Sequence, residues 1–520
     1  EFIGVFPKLL QGDKGFATTS LGSRWSKQLE ESGSLASIVT EWVSFLSDPN
    51  YQQELSSEYR LSIWKEAAAA AERHNKPGEF TAFVGYEWTS MVDGNNLHRV
   101  VLFKDDAEKA TRMPPFSALD SRDPEDLWSA LADYEARTGG SVMAIPHNGN
   151  VSNGYMFALN TLAGKPLHQA YARTRQRWEP LYEVTQVKGD SETHPFLSPD
   201  DEFADFETWD DDNIARSAAK TNAMLQHEYA RGALRLGLQL EDSLGVNPYQ
   251  FGVIGSTDAH TSLATADDDN FWGKFRDSEP GKERLNNKMG GTLWDNWRLA
   301  ASGYAAVWAR DNTRASLFEA MARKEVYATT GPRIKLRFFG GWDFSSQDAG
   351  SESLATVGYE RGVPMGGILR NGPKNVAPRF LVQALKDPDG ANMDRVQIVK
   401  GWLNADGSTS EKVYDVALSN GREVDPLTGK AEALQSTVDF AAATYKNSIG
   451  AVSFSVAWED PDFDRQQRAF YYARVIEIPT PRWTAYDAKN YKLEAPEEIP
   501  MITRERVYSS AIWHEPTIIR

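Results

Sequence analysis

The sequence predicts an α/β domain with a largely parallel sheet or barrel, followed by an antiparallel β-sandwich. Three observations predict it. Strand-length apolar runs alternate with helical segments through the first 340 residues, the pattern of repeated βα units. Ligand-type side chains (Glu87, His147, Asp258 and His260) close several of those runs, and in parallel α/β architectures that end of the strands is where sites are built. After about Phe339 the texture shifts to a Gly- and Ser-rich stretch over 340–354 and then to alternating strands.

The helices come first. Leu61 to Arg73 carries the run WKEAAAAAER, whose alanines lose no side-chain entropy in a helix. Pro124 to Arg137 opens with acids in its first turn, against the positive end of the helix dipole. Ala218 to Leu240 repeats apolar residues at helical spacing. Between them, strands are expected at 81–87, 100–103, 141–147, 181–187 and 251–260. Beyond 354, the runs at 379–385, 395–403, 412–418, 451–458 and 469–478 alternate apolar and polar residues, with Asp387-Pro-Asp-Gly390 and Asn404-Ala-Asp-Gly407 as turns. The expected organisation is an α/β domain with helical and acidic-loop insertions over 1–340, a β-sandwich over 341–480, and a proline-punctuated tail over 481–520 that wraps back over the body.

Composition excludes several function classes. Of the 520 residues 41% are hydrophobic, enough for a large core and too many for a disordered chain. With 56 Lys and Arg against 73 Asp and Glu the formal charge is -17, which repels nucleic acid and anionic lipid. No apolar run reaches the roughly 18 residues that a membrane-spanning helix needs. There is no cysteine, so a bound metal would be held by His, Asp and Glu.

Eight histidines are present. His74, His168, His227 and His514 lie in polar, helical or tail contexts that suit surface or packing roles. The strongest local signal is Ser256-Thr-Asp-Ala-His-Thr261: in an extended segment residues two apart face one side, so Asp258 and His260 offer a carboxylate and an imidazole together. The plainer alternative is a capping aspartate and a packed histidine. Glu87 in GYEWTS follows an apolar run, where a buried acid needs a cation, either a metal or a salt bridge to Arg99. His147 in IPHNGN stands at a strand end between Pro146 and the Asn148-Gly149 turn. His98 in NNLHRVVLF begins a run, so spacing alone leaves its place at the rim less secure. His194 follows the cluster KGDSE. Such a donor set suits Mn, Fe or Zn, ions that generate a nucleophilic hydroxide near neutral pH, and two of them close together clamp a transferring phosphoryl group. Lys188 and Arg99 are candidates for holding a small anionic substrate.

No GxSxG, P-loop or HExxH motif occurs in a supporting context. The acidic, aromatic stretch 200–212 raises the alternative of a metal-independent carbohydrate-active enzyme using Asp201, Glu202 or Glu207. A non-enzymatic protein that binds a glycan or partner through its β-sandwich is the other alternative.

The stretches FTAFVGYEWTS, GNNLHRVVLF, AIPHNGNVSNGYMFAL, FGVIGSTDAHT, the long segment 177–210, 302–334 and the tail RVYSSAIWHEP resemble the DUF3604 family over nearly the whole chain. That family is related to the PHP (polymerase and histidinol phosphatase) metal-dependent phosphoesterases. The resemblance implies a distorted TIM-like barrel with two or three divalent ions at its C-terminal face. It also implies Glu87 as bridging acid, His98 and His147 as ligands, and Asp258 and His260 as a closing pair; Glu192 and His194 match no ligand of that pattern and are assigned to substrate contact or to the family's own elaboration. The family pattern opens with an HxH and a further Asp-His, and neither precedes Glu1-Phe-Ile-Gly4. A barrel lacking its first strands is therefore expected, in a sequence missing its beginning, and the family's frequent export signals point to a periplasmic or secreted protein.

Overall fold

The computed structural model describes residues 4–48, 54–288 and 294–516; Glu1, Phe2 and Ile3, where the missing start was expected, lie outside them. The chain divides into two compact units. One comprises Glu1–Pro180, Asp211–His227 and Ala309–Glu319; the other comprises Leu181–Asp210, Glu228–Trp308 and Ala320–Arg520.

In the first unit two short helical segments, Val5–Leu10 and Lys14–Ala17, precede helices α1 (Ser20–Ser32), α2 (Ala36–Ser47) and α3 (Ser57–His74). Trp25, fully buried, centres a core with Val5, Phe16, Leu21 and Ile38. Helix α3 starts four residues before the expected Leu61 because the Ser56 side chain accepts from the Tyr59 amide and so caps it. The strands β1 (Val84–Trp88), β4 (Arg99–Phe103) and β5 (Val142–Pro146) form a sheet in the order β1-β4-β5. Both pairings are antiparallel, which corrects the expectation of a largely parallel sheet in this region. The link from Trp88 to Arg99 is too short for a parallel crossover, which takes about a dozen residues or more. It is instead a hairpin, β2 (Met91–Val92) and β3 (Asn95–Asn96), turned by Asp93 and Gly94 with φ of 53° and 78°. Helix α4 (Pro124–Thr138) matches its sequence signals: Asp123 caps it, Pro124 opens it and Gly139 closes it in the left-handed region. Helix α5 (Gln169–Trp178) follows β5.

In the second unit β6 (Leu181–Gln186) pairs in parallel with β8 (Gly252–Gly255) and forms a tight hairpin with β7 (Gly189–Asp190). Helix α6 (Ala230–Leu244) precedes β8. The expected continuous helix from Ala218 to Leu240 is interrupted, with a single turn at Asn222–Leu225 and extended backbone at Tyr229. The amides of Ala230 and Arg231 donate to the carbonyls of Ser191 and Glu192, so the chain is bound to a neighbouring segment just where the helix would have continued.

The C-terminal region is rich in sheet. A four-stranded sheet runs β12 (Gly362–Pro364), β11 (Lys335–Gly341), β14 (Arg379–Leu385), β17 (Ser453–Glu459). An eight-stranded sheet has β18 (Ala469–Glu477) between β15 (Met393–Leu403) on one hand and β21 (Arg506–Ser509) and β22 (Ile512–His514) on the other. It also takes in β9 (Tyr304–Val307), β10 (Val326–Thr329), β13 (Ile368–Leu369) and β16 (Thr409–Leu418). Phe338, Phe380 and Val382 from the first sheet share one core with Ile398, Tyr471 and Val475 from the second. Thr480–Pro481 (β19) pairs with Ile502–Thr503 (β20). The fold is thus mixed α/β with several sheets, and among the described residues none closes into a barrel. No described helix is long and apolar enough to cross a membrane.

Candidate metal centre

Antiparallel register assembles the first set of candidate residues. In the β1-β4-β5 sheet Trp88 is opposite Arg99, and Arg99 is opposite Pro146. Glu87 near the end of β1, His98 just before β4 and His147 just after β5 therefore lie at one edge. His98 begins a strand and still reaches this edge because its strand runs the other way. His147 Nε2 lies 2.9 Å and His98 Nδ1 3.4 Å from Glu87 Oε1. The two imidazole rings meet edge to face at 5.6 Å.

The surroundings hold these groups in place. Thr89 Oγ1 donates to Glu87 Oε2 at 2.7 Å. Asn96 Nδ2 donates to the His147 carbonyl at 2.7 Å and to that of Asn148 at 3.1 Å. Asn148 takes the left-handed conformation, φ 51°, and turns the chain away so that His147 ends the strand. Both histidines are buried, while the Glu87 side chain is one-third exposed. Burial opposes ionisation of Glu87, but the imidazoles of His98 and His147 outweigh it and hold the carboxyl well below the usual carboxylate range.

These three donors fit a divalent cation. One ligand atom from each lies within 4.8 Å of the others. Donors on a tetrahedral ion at about 2.1 Å stand about 3.4 Å apart, close to the 2.9 and 3.4 Å that separate the two imidazole nitrogens from Glu87 Oε1. Two imidazole nitrogens and a carboxylate oxygen suit Zn, Fe or Mn.

In the second unit a turn brings the DxH pair together. The expected extended segment is corrected here: β8 ends at Gly255 and Asp258 is left-handed, φ 50°. His260 Nε2 lies 3.1 Å from Asp258 Oδ1. Asp258 Oδ2 contacts the ammonium groups of both Lys188 and Lys274 and accepts from Gln186 Nε2 at 2.9 Å. Burial again opposes ionisation, and the two lysines together with His260 hold Asp258 well below its ordinary range.

A sequence profile of the family described as "Protein of unknown function (DUF3604)" matches residues 1–516. The chain belongs to this family. No curated protein and no solved structure matches it.

In this DUF3604 chain the other candidates have different partners. Arg99, a candidate for the substrate, is buried and donates from Nε to Glu179 at 2.9 Å. The alternative salt bridge to Glu87 is not formed; Glu87 has the two imidazoles instead. Glu192, also a candidate for the substrate, is buried against Arg231, Arg474 and Tyr472. His194 lies 3.0 Å from Asp210 and against the ring of Tyr229. Lys188 reaches Asp258, as above. The acids of the alternative carbohydrate-active site are each ion-paired: Asp201 with Arg231 and Arg474, Glu202 with Arg395, and Glu207 with Arg482.

Lys274, Thr89 and Asn96 were not legible as site residues. Lys274 lies in FWGKFRDS with no motif around it, and Thr89 and Asn96 act through a hairpin whose only sequence signal is Asp93-Gly94.

Proposed function

We propose that the protein is a metal-dependent hydrolase of phosphate esters or related anionic esters, related to the PHP phosphoesterases. Its α/β region is read as a variant of the PHP barrel and its C-terminal region as a β-sandwich. The observation that carries this reading is the convergence of Glu87 Oε1, His98 Nδ1 and His147 Nε2 at one edge of a sheet.

Glu87, His98 and His147 would hold one divalent ion. Asp258 and His260 are read as a second ligand pair in their own unit. When bound, such ions supply Lewis-acid polarisation and make water acidic enough to provide a nucleophile near neutral pH. The chain's own groups do the rest. Thr89 fixes the carboxylate plane of Glu87, leaving Oε1 turned to the histidines. Lys188 and Lys274 place two ammonium groups beside Asp258, a local positive charge suited to the oxygens of an anionic ester in an otherwise acidic protein.

The test is a hydrolysis screen of phosphomonoesters, phosphodiesters, phosphonates and sulfate esters with and without exhaustive chelation. Turnover that chelation abolishes and Mn, Fe or Zn restores supports the reading. Hydrolysis of a glycoside that survives chelation contradicts it and supports the carbohydrate-active alternative.

A further inference from the structure

A second cluster, also within the second unit, uses none of the candidate site residues described above. A cavity of about 170 Å³ is lined by seven carboxylates and only one basic side chain, Arg333. The acids come from the Asp267-Asp268-Asp269 run, from the Asp387-Pro-Asp-Gly390 turn, and from Glu477 and Glu505.

Several of these oxygens are oriented by the backbone. The Arg333 amide donates to Asp387 Oδ2 at 2.6 Å and the Asp389 amide to Asp387 Oδ1 at 3.0 Å. The Trp483 amide donates to Asp268 Oδ1 at 2.7 Å. Glu477 is different. It is 1% exposed, its Oε1 has no hydrogen-bond partner, and that oxygen stands beside Gly390 in the cavity wall, 3.3 Å from where a Cβ at Gly390 would sit. A buried carboxylate oxygen with no donor costs on the order of several kcal/mol, unless a proton or a cation meets it.

We propose that this cavity is a calcium site, with Glu477, Asp387 and Asp268 as its principal ligands. Every acidic or ligating side chain lining it offers oxygen, with no histidine among them, the donor set of a hard cation that takes six to eight oxygens. Transition ions that favour imidazole have no preference for it. Burial and the neighbouring acids push Glu477 and Asp268 well above the ordinary carboxylate range and Glu505 up to about 7. A divalent cation removes that repulsion and returns the cluster to its ionised form.

The experiment is calcium titration of the full-length chain, stripped with chelator, followed by calorimetry and by thermal unfolding. Tyr445 and Tyr486 line the same cavity, so terbium bound there gives tyrosine-sensitised emission that calcium quenches by competition. Wild type should bind calcium and unfold at a higher temperature with it. Loss of a first ligand should weaken binding at least as much as the about tenfold cost of losing an outer-shell partner, so Glu477→Gln and Asp387→Asn should each do so. Glu477→Gln keeps the shape and replaces a carboxyl whose ionisation burial and the neighbouring acids oppose, so it should fold and be at least as stable as calcium-free wild type. Wild type that binds no calcium at millimolar concentration, or a Glu477→Gln chain that binds it as tightly and gives the same terbium emission, overturns the proposal. Glu87→Gln should leave this calcium binding intact, which separates failure of this site from failure of the hydrolase reading.

Discussion

Glu87 Oε1 and His147 Nε2 stand 2.9 Å apart across sixty residues of sequence, and Asn96 holds the relationship in place. Its amide bonds the carbonyls of His147 and Asn148, which fixes where β5 stops and the imidazole begins. Asn96→Ala should therefore weaken metal binding about tenfold while leaving Glu87, His98 and His147 chemically intact. A metal-affinity titration reads this, and unchanged affinity would show that the strand end needs no such tether.

The lysine pair on Asp258 is expected to be structural as well as electrostatic. Asp258, Lys188 and Lys274 are all largely buried, so removing one ammonium leaves a carboxylate short of compensation. Lys274→Met should destabilise the protein by about 1.5–3 kcal/mol, measured by urea unfolding.

Glu179 is the partner that removes Arg99 from the candidate site. Its Oε1 accepts from Arg99 and from Trp128 Nε1 at 3.0 Å, and Arg175 approaches Oε2 at 3.0 Å. Burial opposes its ionisation, but the two guanidiniums hold it below the ordinary range. Glu179→Gln would leave two buried arginines without a counter-charge, a loss of about 3–5 kcal/mol that equilibrium unfolding would reveal.

Asp190 gives the pH dependence its sign. It is 2% exposed, and burial pushes its carboxyl up to about 7. The folded chain therefore keeps a proton that the unfolded chain releases near pH 4. Stability from this group is complete below about pH 4 and declines as pH rises to about 7. At about 1.4 kcal/mol for each unit of displacement, the loss is on the order of 4 kcal/mol. Asp190→Asn should flatten this fall, so its thermal midpoint relative to wild type should be higher at pH 8 than at pH 4.

Local signals in the sequence translated into structure where a single element decides the outcome. Helix α4 has its aspartate cap, first-turn proline and closing glycine in a row, and it forms between the expected ends. Glu87 and His147 were legible because an acid or imidazole at the end of an apolar run needs a reason. Pairing direction was not legible, since alternation along one strand is the same for parallel and antiparallel neighbours. His98 reaches the edge because β4 runs against β1, a direction that its own apolar run does not encode. The break before Ala230 depends on carbonyls of Ser191 and Glu192, far upstream, which no helical periodicity could reveal. Lys274 reaches Asp258 through a loop with no repeating pattern.

The central claim is that Glu87, His98 and His147 hold a metal. The most direct test is elemental analysis of the full-length protein purified without chelator, beside Glu87→Gln and His147→Ala purified the same way. The account predicts Mn, Fe or Zn in wild type and the loss of at least one ion per chain in each variant, with the fold retained by circular dichroism. Equal metal content in all three proteins would contradict it.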